Sequence, residues 1–299
     1  MLKYNIILAI RNMLKYWKYT LINIIGLSIG MASFVFIFLY INDELHYDQY
    51  HEKADRIYRV NRLYNTIDIN EDASTCSFPC GPFLKKDYPE LIEEAVRFFN
   101  IQTQELLVSR YDEKDTLQFN ETQFFFVDSN VFAVFTFPFL KVNLKNALHK
   151  PNSVVITKKK KKKYFNNESP IGQKLCLEEY IDLTVTGVIK DLPSHSHLKI
   201  DFLTSMSTYR EIQGTEAPNK LLGALTRYRQ IKPKAYPDSW IWNPCWTYIL
   251  LREGVEREEI EKQLPVFYDA HYDDFKYEEV TLYLQPITQI HRSEERRVG

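Results

Sequence analysis

The 299-residue chain is poor in the residues that make loose or low-complexity protein, with nine glycines, four cysteines and four methionines. So little glycine argues against a flexible stalk and for a packed domain, as do twenty tyrosines and nineteen phenylalanines. Catalytic signatures are missing as well. There is no GxSxG, HExxH, P-loop or GxGxxG, so nothing points to an enzyme, and a P-loop ATPase in particular is excluded on this chain. No cofactor is expected. Acidic residues are absent before Asp43, and charge of either sign is absent between Lys18 and Asp43.

What fills that uncharged interval is the run LINIIGLSIGMASFVFIFLYI, Leu21 to Ile41. Twenty-one helical residues at about 1.5 Å each reach about 31 Å, the thickness of a bilayer's hydrocarbon core. A core helix of a soluble protein is usually shorter or carries a polar stripe. Lys3, Arg11, Lys15 and Lys18 precede the run, and Asp43, Glu44 and Asp48 follow it. The positive-inside rule therefore predicts a cytoplasmic N-terminus and a bulk that lies outside. YINDELHYDQYH after the run offers no small-residue cleavage site, so an uncleaved anchor is expected.

Ile6, Ile7, Ile10, Met13, Leu14 and Trp17 repeat at helical spacing before the anchor. They predict a helix at the inner interface, held by Lys3, Arg11, Lys15, Trp17 and Lys18 and drawn to membrane lipid. Within the anchor, Gly26 and Gly30 form a GxxxG that Ser33 extends. Such a small-residue face lets another membrane helix approach.

The part beyond the anchor keeps 34 basic residues against 39 acidic ones, a balance of about −5 that gives no reason to expect nucleic acid as a partner. Its alternating segments predict strands at Arg56–Asn61, Glu105–Ser109, Gln123–Val127, Ser153–Ile156, Trp246–Leu251 and Thr281–Gln285. In another, Leu183, Val185, Gly187 and Ile189 share one face. Leu198, Ile200 and Phe202 alternate in the same way, with a turn at 191–197 between the two. Helices are expected at Pro82–Tyr88, Pro89–Phe98, Ser129–Phe135 with Ser129 as cap, and Glu256–Tyr268 interrupted at Pro265. This mixture argues α+β. The polar section Gln213–Pro237 reads as a separator of two subdomains.

Cys76, Cys80, Cys176 and Cys245 read as buried free thiols, since a C-x-x-x-C without further ligands is poor evidence for zinc. His195 and His197 read as part of a polar turn. Asp43, Glu44, His46, Asp48, His51 and Glu52 read as a solvated segment beside the membrane, so no metal site is expected. Lys158 to Lys163 is an unbroken run of six lysines, read as a solvated helix face.

Several segments, in order, resemble the MacB/FtsX-like permeases of ABC transporters, in the large form common among Bacteroidetes. NIILAIRNMLKYWKYTLINIIGLSIGMASF resembles that family's interfacial and first membrane helices, and YINDELHYDQYHEKADRIYRVNR its passage into the periplasmic domain. FFFVDSNVFAVFTFPFLKVNLKNAL, PNSVVIT, YFNNESPIGQKL and VTGVIKDLPSHSHLKIDFLTSM resemble the domain's centre, WTYILLREG follows, and LQPITQIH resembles its closing strand.

The resemblance implies an interfacial helix over 1–18, a membrane helix over 19–42 and a MacB-like periplasmic domain of two mixed α/β subdomains over 43–291. It leaves 292–299 as a tail outside the domain. It also implies a permease subunit in the inner membrane that forms a dimer with a second protomer and binds a separate cytoplasmic ATPase. The work implied is mechanical transmission or export of amphiphiles such as antibiotics, peptides or lipoproteins. Two departures stand out. The family's later membrane helices are missing from this sequence, which therefore reads as an N-terminal fragment, and the lysine run replaces a mixed helix. The competing expectation is a single-anchor sensor or ligand-binding ectodomain of a signalling protein.

Overall fold

The computed structural model describes residues 2–65, 70–100, 105–111, 116–141, 147–214, 239–240, 242–272 and 280–291. The chain divides into two compact units, Met1–Tyr47 and Asp48–Gly299.

The first unit is two helices, α1 (Leu2–Lys15) and α2 (Trp17–Leu45). They break at Tyr16, whose φ of −110° and ψ of 41° leave the helical region. A side chain takes up a backbone carbonyl there, since the Thr20 hydroxyl donates to Met13 O at 3.1 Å. Twenty-nine residues of α2 extend about 43 Å, enough to cross a bilayer with turns to spare. None of them is buried.

The second unit is built on one mixed sheet. Its strands are β1 (Ile57–Asn65), β2 (Asn70–Ala73), β3 (Ile92–Phe99), β4 (Leu106–Tyr111), β5 (Thr116–Glu121), β6 (Phe124–Val127), β7 (Phe139–Lys141), β8 (Ser153–Thr157), β9 (Lys174–Leu177), β10 (Ile181–Ile189), β11 (Phe202–Ser205), β12 (Cys245–Leu251) and β13 (Val280–Pro286). The order is β13-β1-β12-β3-β6-β11-β8-β10-β9-β4-β5, with β2 beside β1 and β7 beside β10. Most neighbours are antiparallel, while β6–β11 and β8–β10 run parallel. The parallel crossover from β8 to β10 carries α5 (Lys158–Phe165). The remaining helices are α3 (Cys80–Asp87), α4 (Val131–Val134), α6 (Met206–Gly214), α7 (Arg257–Glu261) and α8 (Leu264–His271).

Two apolar clusters sandwich the central strands. Phe124 and Phe126 of β6, Val154 and Ile156 of β8 and Phe202 of β11 point into one, while Phe125, Val127, Val155 and Leu203 point into the other. Burial on both faces is why these strands read as continuous apolar runs. A third cluster joins Val60, Leu282 and Leu284 to Ile260, Leu264 and Phe267 of α7 and α8. β3 and β12 contribute to all three clusters, so the two expected subdomains share one continuous sheet. Most of the expected separator at 213–237 lies outside the described residues.

Several expectations are corrected. Pro89–Phe98 is not a helix, because β3 occupies Ile92–Phe99 and pairs with β12 from Ile92↔Leu251 to Phe99↔Cys245. Ile92, Ala95, Val96 and Phe99 fall at helical spacing, but both faces of the segment are buried, which suits a central strand. Leu198 and Ile200 are buried without being strand, and β11 begins only at Phe202. The face shared by Leu183, Val185 and Ile189 is split by a bulge between Val185 and Gly187, which sends Ile189 to the opposite cluster. Gly187 permits the close approach there, since a Cβ on it would lie 3.2 Å from Val155 Cγ2. The helix at 129–135 shrinks to Val131–Val134, and its cap position is Asn130, whose side chain bonds Glu94 and Ala95 O of β3 rather than the helix end. The expected interruption at Pro265 is present: the segment divides into α7 and α8 at 262–263, and Pro265 sits in the first turn of α8, where its missing N–H costs no bond.

Candidate functional site

The residues singled out in the first unit lie along two exposed helices. Ile6, Ile10 and Met13 form an apolar stripe at i, i+4, i+7 on α1, and Arg11 and Lys15 lie away from it at i, i+4. Lys3 falls seven residues before Ile10 and so nearer the apolar stripe, and its side chain is not among those described. Trp17 opens α2 and is exposed, with the Lys18 ammonium 6.0 Å from its ring centre. Gly26, Gly30 and Ser33 share one face of α2. A Cβ added at either glycine would meet nothing within 4 Å.

Where the second unit begins, the structure overturns one expectation. The acidic and histidine-rich segment after the anchor is not uniformly solvated, for Asp48 is 0 % and His51 2 % exposed. Asp48 adopts a φ of 58°, a left-handed conformation that Asp tolerates better than most residues. Its N–H donates to His195 O at 3.0 Å. Its carboxylate accepts from Ser196 Oγ at 3.2 Å and from the His197 N–H at 3.1 Å. Oδ2 lies 2.8 Å from His197 Nδ1, close enough for an ion pair though poorly angled for a hydrogen bond. The other ring nitrogen of His197 is 2.8 Å from the Tyr248 hydroxyl of β12. A chain of polar contacts thus runs from the first residue of the unit to a central strand.

Tyr50 and His51 complete this root. The Tyr50 hydroxyl is 2.9 Å from Ser196 Oγ, and burial raises its pKa well above the ordinary value. His51 Nδ1 accepts from the Thr136 N–H at 3.1 Å, and its ring stands edge-on to Phe135 at 5.3 Å. Nε2 is buried with no hydrogen-bond partner among the described residues. Burial pulls the His51 pKa down to about 4, with the charge of Asp48 opposing and that of His197 assisting. The imidazole is therefore neutral near pH 7.

The lysine run is the second correction. α5 does not present a purely solvated face, because Lys160 is only 5 % exposed. Its ammonium bonds Glu121, lies 3.1 Å from Asp201 and sits 5.6 Å from the Phe202 ring centre. Lys163 donates to the other Glu121 oxygen at 2.9 Å, as does the Tyr164 hydroxyl. Burial pushes the Glu121 carboxyl up, but these hydrogen bonds more than offset it and hold its pKa low. Tyr164 and Phe165 supply the apolar contact that six lysines lack.

All four cysteines are free and buried. A hydrogen bond to Cys76 and burial push the Cys80 thiol up, and burial does the same for Cys245 and Cys176. The hydrogen bond with Cys80 lowers the Cys76 thiol instead, against its burial. Cys80, Cys176 and Cys245 are packing groups. His195 and His197 sit in a turn, as expected. Among the described residues no group of three or more His, Cys, Asp or Glu could hold a metal ion.

The root escaped sequence reasoning because its partners are nearly 150 residues apart. The one local signal was Tyr47 and Tyr50 interleaved with the charges, an aromatic content out of place in a fully solvated segment.

Comparison with known proteins gives the frame for this geometry. The family profile described as MacB-like periplasmic core domain matches residues 20–265. A domain assigned to a permease protein of Porphyromonas gingivalis superposes with a TM-score of 0.59 at 18 % identity, covering 79 % of this chain and 91 % of that one. The periplasmic region of MacB from Actinobacillus actinomycetemcomitans superposes with a TM-score of 0.50 at 11 % identity, covering 82 % and 95 %. No curated protein matches the chain.

Proposed function

We propose a role for this chain from the family to which it belongs, that of the MacB-like periplasmic core domains: it is a permease component of an ABC transporter. The observation that carries the reading is the extent of the match. It starts at residue 20, inside α2, and continues to residue 265, inside α8. The apolar helix and the folded unit therefore fit one family together, rather than as an anchor joined to an unrelated sensor.

On this reading the chain does no bond chemistry itself. α2 crosses the inner membrane with its basic N-terminal side in the cytoplasm, and α1 lies along the inner surface among anionic lipids. A separate P-loop ATPase supplies the energy, and its closure on ATP displaces the membrane helices of two permease protomers. The small-residue face of Gly26, Gly30 and Ser33 is the surface on which α2 meets another helix. The stapled root at Asp48 suits transmission, because a displacement at the end of α2 reaches a fully buried anchor point only three residues after Leu45. The cargo is an amphiphile exported outward.

The test is purification of the tagged protein from its native membranes in a mild detergent. A P-loop ATPase subunit should co-purify in stoichiometric amount. Recovery of a signalling output module such as a kinase, with no ATPase, would overturn the reading.

A further inference from the structure

The lysine run supplies a second feature that the transport reading does not use. Between α5, β7 and the turn at 166–170 lies a cleft of about 380 Å³, within the size range of small-molecule sites. Its walls are apolar where Leu140, Pro170 and Val188 line it, and Leu140 is left 43 % exposed. Lys158 and Lys161, one turn apart on α5, form the cationic side. Lys158 has no partner among the described residues. Lys161 spends one N–H on Asn166 O at 2.9 Å and keeps two to offer. Glu168 is the one carboxylate among the lining residues, and the Arg110 guanidinium holds it. The cleft thus joins the exposed Leu140, backed by the buried Val188 and Pro170, to two ammonium groups that have no carboxylate partner among the described residues.

The two kinds of lysine on α5 sharpen the point. Lys160 and Lys163 turn inward and find Glu121 and Asp201. Lys158 and Lys161 line the cleft and form no ion pair with a carboxylate among the described residues. We propose that this cleft binds an amphiphile with an anionic head and a single apolar chain, the head against Lys158 and Lys161 and the chain along Leu140, Val188 and Pro170. A cationic amphiphile would meet two ammonium groups with only a neutralised glutamate in return. The inference concerns the second unit alone and stands whether or not the chain couples to an ATPase.

The full chain, held in nanodiscs of a zwitterionic lipid, is labelled with dodecanoate carrying a photoreactive diazirine, and the adducts are mapped by peptide mass spectrometry. Adducts are expected on peptides containing Leu140 and Pro170, displaced by unlabelled dodecanoate. The double variant Lys158→Glu/Lys161→Glu should lose about tenfold of this labelling, as removal of a charge-assisted contact predicts. The milder Lys158→Gln/Lys161→Gln should lose part of it with an unchanged circular dichroism melt. Labelling confined to α2, equal labelling by a quaternary ammonium probe of the same chain length, or displacement by inorganic phosphate alone would each overturn the proposal.

Discussion

Asp48 Oδ2 lies 2.8 Å from Nδ1 of His197, across 149 residues of sequence, and the Asp48 side chain is wholly buried. The pair closes the second unit at its first residue. Replacing Asp48 by Ala removes the acceptor for Ser196 and for the His197 N–H together and leaves both donors buried. The expected loss is about 3 to 5 kcal/mol of unfolding free energy. Asp48→Asn keeps the shape and the tolerance of a positive φ, and should lose about half as much. Urea unfolding followed by tryptophan fluorescence measures both, and equal stability of Asp48→Ala and the parent would remove the root from the account of this fold.

The neighbouring His51 makes that stability depend on pH. Its folded pKa is lowered to about 4 from the ordinary 6.5, chiefly by burial. The unfolded chain therefore binds the proton more tightly than the folded one. The contribution of His51 is complete above about pH 6.5 and is lost as pH falls toward 4, by about 3 kcal/mol in all. His51→Gln can still accept from the Thr136 N–H but cannot titrate. Between pH 7 and pH 4.5 the variant should lose about 2 kcal/mol less than the parent. Parallel pH profiles for the two proteins would show that His51 is not held neutral by its site.

The six lysines should not respond alike. Lys160→Ala takes the buried ammonium from Glu121 and Asp201 while Lys163 and Tyr164 remain on Glu121, and its expected cost is about 1 to 3 kcal/mol. Lys162→Ala changes an exposed side chain and should fall within about 0.5 kcal/mol of the parent. Thermal unfolding of the two variants side by side checks this, and identical midpoints would mean that the whole run is solvated.

Parts of this architecture were legible in the sequence and parts were not. Leu21–Ile41 read correctly as a helix long enough for a bilayer because a single local property, unbroken apolarity, defines it. The strands β8 and β12 read correctly because their composition is β-branched and aromatic on both faces. β3 did not, since Ile92, Ala95, Val96 and Phe99 satisfy a helical period equally well and only pairing with β12 decides between the two. The polar root and the inward turn of Lys160 were illegible for a related reason. A charge is buried only if a distant segment answers it, and no local pattern reveals Ser196 and His197 to Asp48, or Glu121 to Lys160.

Gly26, Gly30 and Ser33 leave one face of α2 open to a neighbouring helix. A side chain at Gly26 or Gly30 meets nothing within 4 Å in the single chain, so Gly26→Leu/Gly30→Leu leaves the helix free of clashes. Leucine also has the better helix propensity, so the isolated helix should be no less stable. Any loss of assembly must then come from a partner helix that can no longer approach. Self-association of the membrane-embedded protein, read by energy transfer between two labelled populations, should weaken about tenfold, equivalent to about 1.4 kcal/mol. Undiminished association would place the contact between protomers somewhere other than this face.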